Sequence, residues 1–407
     1  MAAQLRAALE DSVKAHRVPG IGAIIIDKTG KPLFNESFGT LDANDDHAKP
    51  FTNDTQLFLW SCTKLITSIC ALQLLEQGKI ISLNEPVSKY LPKVRQFEVF
   101  EGFDENGTPI LRKSKSEITL MHLMTHTSGL TYDFWEADKP MFDYRTAKGQ
   151  QPGTYALEVE NEFQFHDVFL AFDPGQKHHY GINMDHLGFI VEAVGGMRLE
   201  QYMEENIFKP LGMDTCGPQF LDENFLRVHM KDDNGKLATV DAFRPPKNPW
   251  RFGGGHFLIG SLNDYTRLML ALLNGGSHPA TGKQILKPET VNDFVFKDFI
   301  PHVGASTNGI GKCTQGISPG ASNAGDVGYS FRDSPYPRGW SCGLMMNLED
   351  VAGGRSTGSG SWAGLGNLYF WIDPKKGVAG IIGTSVLPFL DHDSLELFEK
   401  VERFAYA

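Results

Sequence analysis

A serine and a lysine three residues apart, Ser61-Cys62-Thr63-Lys64, stand at the head of a long apolar run. Phe58-Leu59-Trp60 leads into it, and from Leu65 to Leu75 eight of eleven residues are apolar before Gly78 ends the pattern. A helix that is apolar on every side has to be buried rather than laid on a surface. Residues three apart on a helix share a face, so a hydroxyl and an ammonium lie side by side at the mouth of a buried helix. A buried lysine is costly unless it is paired or used. The rest of the chain must therefore supply its partners.

Length bounds the architecture. A chain of 407 residues exceeds one typical core and predicts two lobes, or one large domain with an insertion. The hydrophobic fraction of 41% and charged fraction of 21% are those of an ordinary globular protein. A net charge of −11 with no basic block argues against nucleic acid or an anionic membrane as partner. The first residues form an amphipathic pattern without a secretory apolar core, and no apolar run approaches the roughly 20 residues that span a bilayer. A cytoplasmic location is the expectation. Cysteines 62, 70, 216, 313 and 342 are scattered and odd in number, which predicts reduced thiols. Cys62 and Cys70 are best read as small buried hydrophobes.

Helical spacing of Leu5, Leu9 and Val13 predicts a core-facing helix over 3–16, broken by Pro19-Gly20. Residues 21–27 and 33–38 read as a strand pair, as do 368–372 and 378–384 around Asp373-Pro374-Lys375-Lys376-Gly377. Residues 83–92 read as a short capped helix, 101–116 as a polar excursion, 303–333 as a long loop. Helices are predicted at 118–125, 184–194, 199–207 and 261–273, the last capped by Ser261. A terminal helix turns Leu395, Phe398, Val401 and Phe404 inward. Hairpins imply an antiparallel sheet. The expected fold is α+β: a discontinuous sheet domain from 1–60 and 255–407 packed on terminal helices, an all-helical lobe over 61–254, and a cleft between them as the default site. Ten aromatics fall between Tyr132 and Phe172; packing is their commoner role, an apolar wall over the cleft the other.

A serine hydroxyl is a poor nucleophile until something takes its proton. Lys64 can do so if burial lowers its pKa, or it can act as a cation on a neighbour. The best neighbour is Tyr180, after Asp173-Pro174-Gly175, whose phenol becomes a general base if held near Lys64. A tyrosine before a helix is usually packing, but Tyr180-Gly181-Ile182-Asn183 together with Ser-x-x-Lys reverses that reading.

Here a resemblance becomes specific. Ser61-Cys-Thr-Lys64, His126-Thr-Ser-Gly-Leu130, Phe172-Asp-Pro-Gly175 with Tyr180-Gly-Ile-Asn183, Pro210-Leu-Gly-Met213, Gly253-Gly-Gly255 with Asp264, and Trp362-Ala-Gly364 before Trp371-Ile-Asp-Pro374 occur in the order of one family. The chain resembles, over about residues 5–400, the serine β-lactamase-like fold: class C β-lactamases, DD-peptidases, family VIII carboxylesterases and fungal lovastatin-type acyltransferases. The resemblance implies Ser61 as acylated nucleophile, Lys64 as its activator and Tyr180 as acid/base for the leaving group. It implies Asn183 as a contact orienting substrate or Lys64, and an oxyanion hole from the backbone N–H groups of Ser61 and Leu365. Where lactamases carry Lys-Thr-Gly this chain has Trp362-Ala363-Gly364. The cation and hydroxyl that would hold a lactam carboxylate are missing, and the motif looks like that of the esterases. Residues 118–132 and 199–202 look closest to the acyltransferase branch.

The expectation is a cofactor-free enzyme without a metal. It passes an acyl group from a small-molecule ester or thioester, through acyl-Ser61, to water or an alcohol. An acyl-carrier protein as donor has no support in the sequence. The alternatives are an amide-directed β-lactamase or D-amino-acid peptidase, and a silent scaffold. Two decoys are set aside. Gly354-Arg-Ser356-Thr-Gly358, with Asp373 and His392 following, imitates a nucleophile elbow, but Gly-Ser-Gly-Ser-Trp after it cannot open the helix that motif requires. His122 and His126 have metal-ligand spacing, yet Leu123 replaces the glutamate of a zinc-protease motif and no third ligand is signalled. His178 and His179 are equally well read as surface residues or as the cleft mouth.

Overall fold

Two hairpins far apart in sequence meet in one antiparallel sheet. In the computed structural model, which describes residues 1–133, 139–150, 165–219, 221–241, 243, 251–304 and 336–407, the strands are β1 (Gly20–Asp27), β2 (Pro32–Gly39), β3 (Arg338–Trp340), β4 (Met345–Asn347), β5 (Gly360–Gly364), β6 (Leu368–Asp373) and β7 (Val378–Gly383). Their order is β2-β1-β7-β6-β5-β4-β3. β1 pairs β7 with Ile24 opposite Ile381, so strands from the two ends of the chain join side by side within the sheet. Each hairpin turn is held by an aspartate. Asp27 accepts the backbone N–H groups of Thr29 at 2.8 Å and Lys31 at 3.1 Å, and Asp373 accepts that of Lys376 at 3.0 Å. Gly380 lacks the Cβ that would lie 2.1 Å from the indole of Trp371, its cross-strand partner.

The principal helices are α1 (Ala2–Lys14), α2 (Thr63–Glu76), α3 (Asn183–Gly195), α4 (Leu262–Leu273) and α5 (His392–Ala405). Strand alternation divides them between two faces. Ile21, Ala23 and Ile25 share a core with Leu5, Leu9, Leu395 and Phe398 of the terminal helices. Ile24 and Ile26 share another with Leu262, Leu268 and the run after Ser61. Each such aliphatic side chain contributes about 1.5–3 kcal/mol on burial. Ser261 caps α4 by accepting the Asp264 N–H at 3.2 Å, and Asp391 caps α5 by accepting that of Ser394 at 2.9 Å. Under α5, Arg355 and Glu402 form a buried ion pair at 2.5 Å.

The antiparallel sheet with packed terminal helices is as expected, but the middle of the chain is not wholly helical. Residues 98–103 and 109–113 form a two-stranded hairpin where a polar excursion was expected. Asp104 closes it by accepting the N–H groups of Asn106 and Thr108, and Phe100 stacks on Phe169 at 4.8 Å. Residues 229–231 and 237–239 pair as a second small ribbon. The expected helix at 83–92 is reduced to short 3-10 turns, Val87–Lys89 and Pro92–Gln96. In the second of these Pro92 takes an early helical position, where its missing N–H costs nothing. Most of the expected loop at 303–333, and Phe134, Trp135, Tyr155 and Phe163 of the aromatic stretch, lie outside the described residues. Among the described residues no helix is long and apolar enough to cross a membrane, and Cys62, Cys70, Cys216 and Cys342 are free thiols.

Candidate active site

Ser61 lies in a single 3-10 turn, Trp60–Cys62, that leads straight into α2. The turn is strained. Trp60 has φ +47°, a left-handed conformation that a bulky residue adopts only when its surroundings enforce it. Several hydrogen bonds do so. The Thr63 hydroxyl donates to the Trp60 carbonyl at 2.6 Å and accepts the Leu258 N–H at 3.0 Å. Leu59 N–H donates to the Leu258 carbonyl at 2.9 Å, and the Tyr265 hydroxyl to that of Cys62 at 3.1 Å.

From Thr63 to Leu74 every residue of α2 is buried, Lys64 included. Its side chain is 1% exposed, and Nζ reaches three oxygens: Ser61 Oγ at 3.1 Å, Tyr132 Oη at 2.9 Å and the Gly255 carbonyl at 2.7 Å. Burial lowers its pKa from 10.5 to about 7, the charge of Asp185 opposing that fall. The amine is thus partly neutral at neutral pH. A neutral amine has two donors and one lone pair. The Gly255 carbonyl can only accept, which leaves the lone pair to face one of the two hydroxyls, and Ser61 is one of them.

Tyr180 is brought to the same place, but by its ring. Lys64 Nζ lies 4.7 Å above the Tyr180 ring centre, while Tyr180 Oη accepts the Trp362 Nε1–H at 3.2 Å. Tyr132, Tyr180, Trp362 and Trp340 form a contiguous aromatic wall, with ring centres 5.5, 4.9 and 4.5 Å apart in that order. His126 backs it, 4.6 Å from Tyr180. Burial pushes the His126 pKa well below the usual range, so its ring is neutral. Asn183 is fully buried. Its amide accepts the Ser128 hydroxyl at 2.5 Å and lies 3.0 Å from His126 Nδ1 and 3.2 Å from the Leu130 carbonyl. Those contacts tie the Tyr180 segment to residues 126–130. At Gly364, which ends β5, an added Cβ would lie 2.7 Å from the Leu59 carbonyl. That close approach sets the strand end, with half-buried Leu365 just beyond it, against the Ser61 turn.

The structure therefore gathers Ser61, Lys64, Tyr180, Trp362 and Gly364 around one point and places Asn183 behind it. Three further groups join them without having been singled out from sequence. Tyr132 bonds Lys64 directly. The Gly255 carbonyl is a backbone acceptor, invisible in residue identity. Asp185 accepts the Gly255 N–H at 3.0 Å. The signals on offer were the closeness of Tyr132 to the His126-Thr-Ser-Gly-Leu130 run and the Gly253-Gly-Gly255 motif, neither of which assigned a contact to Lys64.

Of the residues set aside, His126 alone of its pair joins the site, behind the aromatic wall. Ser356 is buried, with its backbone N–H on Asp373 at 2.8 Å and no hydrogen-bond partner for its hydroxyl. His122 closes a capping box with Thr119. His178 is buried against Trp340, and His179 packs on Phe172. His392, Asp393 and Glu396 cluster at the start of α5, but the acids are already ion-paired: Asp393 with Lys231 at 2.7 Å and Glu396 with Lys400 at 2.6 Å.

A family model described as Beta-lactamase matches residues 5–308. The monacolin J acid methylbutanoyltransferase of Aspergillus terreus is 29% identical over 415 residues, covering 99% of this chain and 95% of that protein. The lovastatin esterase of Penicillium rubens is 27% identical over 393 residues, covering 91% and 89%. Among solved structures, a LovD6 mutant of simvastatin synthase from Aspergillus terreus aligns with a TM-score of 0.84 at 28% identity, covering 99% of this chain and 96% of that one.

Proposed function

The chain belongs to the beta-lactamase family, as an enzyme of its acyltransferase and esterase kind, and from that premise we propose serine-dependent acyl transfer through an acyl-Ser61 intermediate. The observation that carries this is the Lys64 amine, buried, partly neutral and 3.1 Å from Ser61 Oγ. Lys64 takes the hydroxyl proton as Ser61 Oγ bonds to the carbonyl carbon of an ester or thioester. The oxyanion that forms is met by the backbone N–H groups of Ser61 and Leu365. Tyr180, oriented by Trp362, gives a proton to the departing alcohol or thiol, and the acyl-enzyme remains. The same groups then run in reverse, activating water or an alcohol to release the acyl group as an acid or a new ester.

An uncharged acyl group suits the aromatic wall, and Trp362 offers no cation to an anionic substrate. A short branched acyl group, as in the name of the methylbutanoyltransferase relative, and a hydroxyl-bearing small molecule are the donor group and acceptor we favour. An amide-directed reading lacks the lysine and hydroxyl that would hold a lactam carboxylate. The test is p-nitrophenyl butyrate turnover with intact-mass analysis. Wild type accumulates one butyryl group on Ser61, and Ser61→Ala neither turns over nor is labelled. Added alcohols that speed p-nitrophenol release and appear as new esters identify a transferase. Retained turnover in Ser61→Ala would sink the mechanism.

A further inference from the structure

Behind Lys64 lies a second layer of polar groups that the reaction above does not use. Asp185, on the first turn of α3, is buried. Its Oδ1 accepts the Gly255 N–H at 3.0 Å, and the carbonyl of that same residue accepts Lys64 Nζ at 2.7 Å. The run Gly253–Gly255 is clamped from the other side by Thr67, one turn after Lys64 on α2, which donates to the Gly254 carbonyl at 2.7 Å. There is no room to relax: a Cβ on Gly255 would lie 2.5 Å from Asp185 Oδ2, and one on Gly254 2.5 Å from the Met184 carbonyl. His256 Nδ1 lies 3.3 Å from Asp185 Oδ1. α2, the glycine run and α3 are thereby bolted together at the Gly254–Gly255 peptide, next to the Gly255 carbonyl that receives the amine.

We propose that Asp185 is a positioning residue for acylation, fixing the Gly255 carbonyl that holds the Lys64 amine on Ser61 and supplying the negative charge that sets when that amine is free. This rests on the Ser61–Lys64 reading above. The surroundings leave few other charges to do the second task. Cys62 is held protonated by burial. Burial keeps His126 neutral, and His186, next to Asp185 on α3, falls to about 3. Tyr132 meets Lys64 through its hydroxyl and Tyr180 through its ring. Arg251, whose charge reaches His186, is ion-paired with Glu192 at 2.6 Å. Asp185 itself is held ionised against its burial by His256, Lys64 and the Gly255 N–H. Its charge favours the ammonium form of Lys64, so it restrains the base while orienting it. His256 competes with Lys64 for the same carboxylate.

The sign of each change is then fixed. Asp185→Asn keeps an oxygen for the Gly255 N–H but removes the charge. The acid limb of kcat/KM for p-nitrophenyl butyrate is expected to move about one pH unit lower. His256→Gln removes the imidazole from the carboxylate, which keeps the Gly255 N–H and the field of Lys64, and moves the limb higher. Asp185→Ala also loses the peptide anchor and lowers the plateau. A purely structural aspartate would lower the rate equally at all pH values, with the limb in place. Ser61→Ala is assayed alongside: activity there defeats the acyl-serine reading itself. An inactive Ser61→Ala together with unmoved limbs in both Asp185→Asn and His256→Gln defeats only the positioning role. If Asp185→Asn does not fold, the alkaline shift of His256→Gln decides.

Discussion

The protonation of Lys64 gives the sharpest test of the site. With a pKa of about 7 the amine is about 9% neutral at pH 6, about half at pH 7 and about 91% at pH 8. If the neutral amine accepts the Ser61 proton, kcat/KM for p-nitrophenyl butyrate rises about tenfold from pH 6 to pH 8 and is flat above it. The sign follows from burial, which destabilises the ammonium, so activity is lost as pH falls through about 7. An exposed lysine near 10.5 would leave only about 0.03% of the base neutral at pH 7, and the rate would climb tenfold per unit through pH 9. Burial thus raises the amount of active base about a thousandfold at pH 7, partly offset because a weaker base pulls less on the proton. The assay is initial rate at low substrate from pH 5.5 to 9, corrected for buffer hydrolysis. The limb belongs to the coupled Lys64 cluster as a whole. A rate flat from pH 5.5 to 9, or one still rising tenfold per unit at pH 9, would refute the assignment of Lys64 as base.

Three further outcomes follow from named contacts. Tyr132→Phe removes an oxygen from a buried amine donor, a loss of about 1–3 kcal/mol, and should lower kcat/KM about fivefold to a hundredfold; a change within about twofold denies Tyr132 any part in holding Lys64. Ser356→Ala deletes a buried hydroxyl that makes no hydrogen bond, so ester turnover should stay near wild type, and loss of turnover in a folded variant would restore Ser356 as a candidate nucleophile. Glu402→Ala removes the carboxylate paired with the buried Arg355 guanidinium beneath α5 and should cost about 3–5 kcal/mol of stability by urea denaturation; a loss below about 1 kcal/mol would mean the pair contributes little.

Much of the fold was legible because its signals are local. The period of α1, the Asp-containing turns of both hairpins and the Ser261 cap lie within a few residues of the structure they specify. The hairpin at 98–113 was missed for an equally local reason. Its register shifts between Phe100 and Gly102, and a bulge there breaks the alternation by which strands are recognised. The pairing of β1 with β7, by contrast, spans the chain and left no trace beyond the matching apolar runs.

The site divides the same way. Ser61 and Lys64 are three residues apart on one helix, so their meeting follows from helical geometry alone. What activates the pair does not. It depends on a backbone carbonyl at Gly255 and a phenol at Tyr132, which meet Lys64, and on a carboxylate at Asp185, which holds the Gly255 N–H, and the three converge only in the packed fold. Even Tyr180, chosen for its phenol, meets Lys64 through its ring face, and its hydroxyl is engaged by the Trp362 indole. Trp362 thus has two consequences that residue identity separates poorly. It removes the cation expected of a lactam-binding site, and it supplies the N–H bonded to the Tyr180 phenol, the proposed acid/base. A lysine in its place would attract a carboxylate but end the edge-on contact with Trp340 that completes the aromatic wall. The proposed selectivity for uncharged acyl groups and the orientation of Tyr180 therefore rest on one side chain.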